Sequence, residues 1–254
     1  MSEPLSTAPS PAADFLCSVV ELRQYTLRPG ARPVLTDLFD REFVETQEAV
    51  GMRVIGQFHD EADPDRYVWL RGFRDMEARK AALTAFYLEG AAWREHGAAA
   101  GATMLDSDDV LLLRPVAPGS GFPPPDGRPP VGAAPPESRV MATILHREAP
   151  VDAAFAAYFD GTIAPFMTGV GAAPIARFQT EPAENTFPRL PVRTGENVFV
   201  WFAVFENADH LRDHLDRLAR SPEWTERLLP ALAAGSAAPP ERLSLAPTAR
   251  SALR

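Results

Sequence analysis

Glu21, Arg23, His59 and Arg71 are the side chains whose types could do chemistry together in this chain. A histidine or carboxylate can take a proton, and a pair of arginines can hold the oxyanion that proton transfer leaves behind. We read His59, Glu21 and Arg71 as the candidate catalytic group. Arg23, Tyr25, Gln57, Tyr67 and Trp69 would line a substrate-binding surface beside them, joined from later in the chain by Arg177 and Trp201. The competing reading makes Glu21 and its arginines a satisfied ion pair with a structural role alone.

Other reactive side chains are poorly placed for chemistry. His210 and His214 stand four apart on a predicted helix, a spacing that can present two imidazoles to a metal, but no third ligand accompanies them and they read as a solvated helix flank. His96 and His146 sit near element ends. Cys17 has no catalytic signature around it and reads as a half-buried thiol. With no glycine-rich phosphate loop, metal-spaced cysteine set or nucleophile elbow, no metal and no cofactor are expected.

The elements that must position these residues are repeated. Arg66-Tyr67-Val68-Trp69-Leu70-Arg71-Gly72-Phe73 returns as Asn197-Val198-Phe199-Val200-Trp201-Phe202-Ala203-Val204-Phe205, and an amphipathic segment with a second tryptophan, Trp93 or Trp224, follows each. Val20, Phe39, Phe43, Val50, Gly51 and Phe58 match Val140, Phe159, Ile163, Val170, Gly171 and Phe178 at a fixed offset of 120. Similarity on one offset across different element types marks a duplication.

Each copy reads βαββαβ, the ferredoxin-like order. Strand one spans about 18–27 and ends at Pro29-Gly30. A helix follows with Leu35, Leu38, Phe39, Phe43 and Val50 on one stripe, then strands near 52–59 and 66–73. Asp75 is placed to cap a second helix, and a strand near 104 and 110–113 ends the unit. In the second copy Pro165 falls inside the first helix and should kink or divide it, Asn207 caps the last helical region, and Ser221-Pro222 restarts it.

The uncovered face of each sheet must be buried, so a second sheet is expected to cover it. Strand alternation, with Leu22 set against the helices, turns Glu21, Arg23, Tyr25, Ile55, Gln57, His59, Tyr67, Trp69 and Arg71 onto the face that would line a lumen between the two sheets. The second half would contribute an apolar wall of Met141, Thr143, Leu145, Ile175, Arg177, Gln179, Phe199, Trp201 and Ala203. Such a cavity suits a small, partly aromatic ligand with one polar end.

Composition sets the remaining bounds. A net charge of −9 without a basic cluster argues against nucleic acid. No apolar window approaches a membrane span, and the N-terminus lacks the basic start and apolar run of a signal peptide, so no membrane partner and a cytoplasmic location are expected. The expected organisation is a disordered lead at 1–16, a unit at 17–114, a proline-rich linker at 115–138, a second unit at 139–248 and a tail at 249–254. Nine prolines stiffen the linker, and tethering should pair the two units within one chain as an internal pseudodimer, with further homo-oligomerisation open.

Val20 to Gly30 and Val50 to Gly56, with strand three and Ser221-Pro222-Glu223-Trp224, resemble the NIPSNAP family. The resemblance implies a dimeric α+β barrel, in which the two ferredoxin-like sheets close face to face around that lumen. Where that family often carries a histidine on strand three, this chain has Trp69 and Trp201, so no role tied to that histidine carries over. Related barrels include cofactor-free monooxygenases, cyclases, isomerases and haem enzymes, and fold does not choose among them. Three functions are therefore expected in turn: a barrel binding a small apolar or aromatic metabolite, as a cofactor-independent monooxygenase, isomerase or cyclase if it is an enzyme; a non-catalytic scaffold, whose lumen its own side chains would fill; and a haem protein.

Overall fold

The computed structural model describes residues 17–124 and 127–254, so the lead expected at 1–16 lies outside the described residues. The first unit runs β1 (Val19–Leu27), α1 (Arg32–Leu38), α2 (Val44–Glu48), β2 (Arg53–Asp60), β3 (Arg66–Phe73), α3 (Met76–Thr84), α4 (Ala91–Thr103) and β4 (Met104–Pro115). The second repeats it as β5 (Arg139–Arg147), α5 (Ala153–Tyr158), α6 (Ala164–Gly169), β6 (Pro174–Thr180), β7 (Asn197–Phe205), α7 (Ala208–Arg220), α8 (Leu229–Ala233) and β8 (Glu241–Pro247).

Local chemistry sets the element ends. Asp75 accepts from the Ala78 amide at 2.7 Å and Asn207 from the His210 amide at 2.9 Å, each satisfying a free donor of a helix start. Ser221 does the same for Trp224 at 3.2 Å. The helix holding Pro165 is interrupted by a π-helical turn at Phe159–Ile163, but the same turn occurs at Phe39–Phe43, where no proline stands. The interruption therefore belongs to the repeated fold and Pro165 is accommodated by it.

The eight strands form one closed barrel in the order β1-β3-β2-β8-β5-β7-β6-β4. The units join where β8 pairs β2, from Phe58↔Pro247 to Asp60↔Leu245, and where β4 pairs β6, from Leu113↔Thr180 to Pro115↔Phe178. Closure leaves no strand edge unpaired between the units.

The strand faces correct the expected lumen. One core cluster draws on all eight strands, with Leu22, Leu70, Leu113, Ile144, Phe202 and Leu245 among its members, and so occupies the barrel interior. Tyr25, Tyr67 and Trp69 instead pack with helix residues such as Phe39, Leu83 and Phe86, and Phe199 and Trp201 with Phe159 and Trp224. Glu21, Arg23 and Arg71 share the helix-facing side of the first sheet. The physical reason is that the dry interior offers an arginine no partner, whereas the helix side supplies one.

On β2 the register also shifts between Val54 and Gly56. This bulge places Ile55 and Phe58 together in the interior and turns Gln57 and His59 to the helices. β6 shifts at the matching place, between Pro174 and Ala176, so Phe178 faces in while Arg177 pairs with Asp160 at 2.8 Å. Only Ile55 of the first-half lumen set keeps its expected face. From the proline-rich segment Phe122 enters the interior cluster, its ring 5.0 Å from Phe178 and 4.8 Å from Phe202.

Candidate functional site

A carboxylate surrounded by three guanidinium groups lies between the first sheet and its helices. Glu21 and Arg71 are cross-strand partners on β1 and β3, so their side chains leave the sheet on one face. Arg79 comes down from the first turns of α3, fixed by the Asp75 cap. Glu21 Oε2 accepts from Arg71 Nε and Arg23 Nη1, and Oε1 from Arg79 Nε, each at 2.7 Å. All four side chains are at most 1% exposed. Burial alone would push the Glu21 carboxyl up, but Arg71, Arg23 and Arg79 hold it well below the carboxylate range. It is therefore an anchor and a poor base.

The remaining donors define the unbalanced side of the cluster. Arg71 Nη1 gives to Tyr87 Oη at 3.1 Å and Gln47 Oε1 at 3.4 Å, and Arg23 Nε gives to Tyr25 Oη at 2.9 Å. Trp69 takes both cations on its ring, Arg71 at 5.0 Å and Arg23 at 5.7 Å. Arg71 Nη2, Arg79 Nη2 and Trp69 Nε1 are buried without a hydrogen-bond partner. Three guanidinium groups face one carboxylate, and the excess positive charge has donors to spare. Burial pulls Arg79 down despite Glu21, and Arg71 and Arg23 pull the same way.

The second unit has the same positions without the charges. Met141 pairs with Ala203 as Glu21 pairs with Arg71, and Leu211 follows the Asn207 cap as Arg79 follows Asp75. Met141, Ala172, Ala203 and Leu211 form a small apolar cluster there. The duplicated fold thus closes this place without an ion cluster, with Thr143 standing where Arg23 does, so architecture does not require the ions of the first unit.

His59 and Gln57 do not join the Glu21 network. His59 Nε2 lies 2.9 Å from Thr36 Oγ1, whose own proton goes to the Arg32 carbonyl. Burial, helped by Arg32, lowers its pKa to about 4, so it is neutral near pH 7. Gln57 Nε2 reaches Asp40 at 3.4 Å. Burial raises Asp40 to about 6 against the pull of Arg250 and Arg128, and raises buried Tyr67 well above the usual phenol range. Arg177 and Trp201 belong to the second unit's helix side, away from the expected shared lumen.

The paired histidines of α7 are not a solvated flank. His214 is buried, its Nδ1 3.1 Å from the Val170 carbonyl, and His210 Nε2 is 3.0 Å from the Gly171 carbonyl. Together they hold the turn after α6. No group of three potential metal ligands occurs among the described residues. The imidazoles of His59, His96, His146 and His210 meet Thr36, Glu42, Glu196 and Gly171, and the second nitrogen of His214 is enclosed.

Arg79, Gln47 and Tyr87 were not among the sequence candidates. The signal for Arg79 was available: counting from the matched caps Asp75 and Asn207 sets it opposite Leu211, on the buried stripe of its helix.

Residues 20–118 match the model of the NIPSNAP family. The match falls on the first unit. The match spans the strands and helices that carry the Glu21 cluster. No curated protein matches the chain at a significant level.

Solved structures resemble the whole chain. A protein from Fusobacterium nucleatum assigned as a monooxygenase superposes with a TM-score of 0.57 at 11% identity, covering 92% of this chain and 94% of its own. An anthrone oxidase-like protein gives 0.56 at 10% identity, covering 92% and 93%. A dye-decolorizing peroxidase from Bacteroides thetaiotaomicron gives 0.52 at 11%, covering 94% and 96%. At these identities the likeness establishes the α+β barrel fold and no activity. No helix among the described residues is long and apolar enough to cross a membrane.

Proposed function

We propose that the first unit binds a small aromatic molecule bearing one anionic oxygen in the space between its sheet and its helices. The observation that carries the reading is the uncompensated charge: three buried guanidinium groups against one carboxylate, with Arg71 Nη2 and Arg79 Nη2 unpartnered. An anionic oxygen halves the excess of two positive charges and can accept from both donors. Trp69, Tyr87 and Trp93 supply ring surface beside it.

The chemistry such a site favours is ionisation of an enol or phenol. Two arginines in a low-dielectric setting stabilise the oxyanion more than its neutral parent, so the site lowers the substrate's own pKa without a strong base. The resulting electron-rich ring or enolate is the species that cofactor-independent oxygenation or isomerisation consumes. The monooxygenase and oxidase names among the structural relatives support this class and do not identify the substrate.

A scaffold reading is favoured by one observation, the occupied barrel interior. The two readings separate on the helix side. Calorimetric titration with phenolates and aryl carboxylates should give binding that Arg71→Ala removes. Binding that survives both Arg71→Ala and Arg79→Leu would overturn the anion site and leave the scaffold.

A further inference from the structure

The connection between β6 and β7, residues 181–196, is far longer than its counterpart between β2 and β3, residues 61–65. It belongs to the second unit in sequence and packs on the first in space. Phe187, Leu190 and Val192 enter the core of the first unit, and the Phe187 ring lies 6.1 Å from that of Tyr87. Arg79 Nη1 donates to Asn185 Oδ1 at 3.0 Å and to Thr186 Oγ1 at 3.3 Å. The guanidinium beside the excess positive charge is thus met from this side by neutral oxygens alone.

The loop is held at its ends by backbone bonds to β4 and in its middle by side chains, where Phe187 is buried and Thr186 Oγ1 also donates to the Met76 carbonyl at 3.3 Å. The Glu181 amide gives to the Leu112 carbonyl at 2.8 Å, the Arg193 amide to Val110 at 2.9 Å, and Arg193 pairs with Asp109 at 3.1 Å. Between these anchors Asn185 organises the turn itself, giving to the Leu190 carbonyl at 2.9 Å and accepting from the Phe187 amide at 3.1 Å. Pro182, Pro188 and Pro191 stiffen it. The contacts of the middle to the first unit are made by side chains, so it can leave the site as one piece while the ends stay paired. Asn185 and Thr186 are half-buried, so the way out passes beside them.

We propose that loop 181–196 is an autoinhibitory lid whose Asn185-Thr186-Phe187 segment stands where an aryl carboxylate binds. The proposal rests on the anion-site reading above. Asn185 and Thr186 supply the oxygen on Arg79 and Phe187 supplies the ring on Tyr87. An aryl carboxylate offers the same pair of groups and adds the charge that Asn185 and Thr186 lack, which is why it displaces them. The ligand class is an aromatic ring with a carboxylate one or two bonds away.

The test uses the full chain and benzoate, with calorimetry for affinity and hydrogen exchange for the loop. The double variant Thr186→Ala/Phe187→Ala should bind benzoate about tenfold more tightly than wild type, the step expected when one competing contact is removed. Arg79→Leu should abolish binding in either background. On wild type, saturating benzoate should raise amide exchange at 185–190. Equal Arg79-dependent affinity in both proteins would overturn the lid and leave the anion site standing, as would weaker binding by the double variant. Absence of binding to both at millimolar benzoate would overturn the two readings together. Should the double variant not fold, exchange on the wild type decides: protection of 185–190, or no change with benzoate bound, overturns the lid.

Discussion

Glu21 Oε1 accepts from Arg79 Nε at 2.7 Å, with both side chains wholly buried. At the equivalent place in the second unit Met141 and Leu211 share an apolar cluster. One fold therefore solves one packing problem twice, once with ions and once without. A buried ion network is costly to desolvate and is often no more stable than well-packed hydrophobic residues of similar volume. Its presence in one unit alone is difficult to assign to stability.

Transplanting the second unit's solution should separate stability from binding. The quadruple variant Glu21→Met/Arg23→Thr/Arg71→Ala/Arg79→Leu copies Met141, Thr143, Ala203 and Leu211. We expect it to fold with a stability equal to the wild type or higher by about 1 to 4 kcal/mol, and to lose binding of aryl carboxylates. Urea denaturation and calorimetry read the two outcomes. A quadruple variant that unfolds would return the cluster to a structural role.

Removing one member should do the opposite. Glu21→Gln leaves Arg23, Arg71 and Arg79 facing one another without a counter-charge, at a cost of about 3 to 5 kcal/mol. Chemical denaturation should show the loss directly. Partial recovery on adding Arg79→Leu, which removes one of the three unpaired cations, would show that the penalty is charge left unpaired and not packing lost.

The element order and the duplication were legible because they rest on hydrophobic periodicity and on caps such as Asp75 and Asn207, which act locally. The two faces of the sheet were not. Burying Arg71 under a helix looked costly while its partners were unknown, and Arg79, the partner that reverses the judgement through Glu21, comes from a helix later in the chain. The bulge at Gly56 then turned Gln57 and His59 against simple alternation. Reading Met141, Ala203 and Leu211 as the replacements for Glu21, Arg71 and Arg79 would have placed the cluster. The contribution of Asn185 and Thr186 is a long-range contact that no local pattern carries.

The pH dependence should reveal two opposing groups. His59 falls from 6.5 to about 4 on folding, so between these values the unfolded chain binds more protons and stability is lost as pH falls. Asp40 rises from 3.8 to about 6, so the folded chain binds more protons there and stability is gained as pH falls. Over pH 6 to 4 the two nearly cancel. Below that the depressed Glu21 carboxylate dominates, and stability should drop as its three arginines lose their partner. Thermal melts should therefore be flat from pH 7 to about 4.5 and fall beneath it. Asp40→Asn should uncover the histidine as a decline beginning near pH 6.5; an unchanged flat profile in that variant would refute the assignment to His59.

Phe122 should control access to the end of the barrel. It enters the interior from the proline-rich segment, against Phe178 and Phe202, and it lines a groove of about 840 Å3 together with Pro115, Ile175 and Cys17. Arg53 Nη2 ties the same segment down through the Pro123 carbonyl at 2.8 Å. Burial raises the Cys17 thiol above its ordinary range, with Arg53 pulling the other way. Phe122→Ala should cost about 3 kcal/mol, the low end for a buried phenylalanine, because water from the groove can fill part of the space. It should also hydrate Cys17, lower the thiol and speed its alkylation by a maleimide severalfold at pH 7. A loss of stability with unchanged alkylation would confine Phe122 to packing and leave the thiol screened by Arg53 and Gly72, whose backbone Cys17 closely abuts.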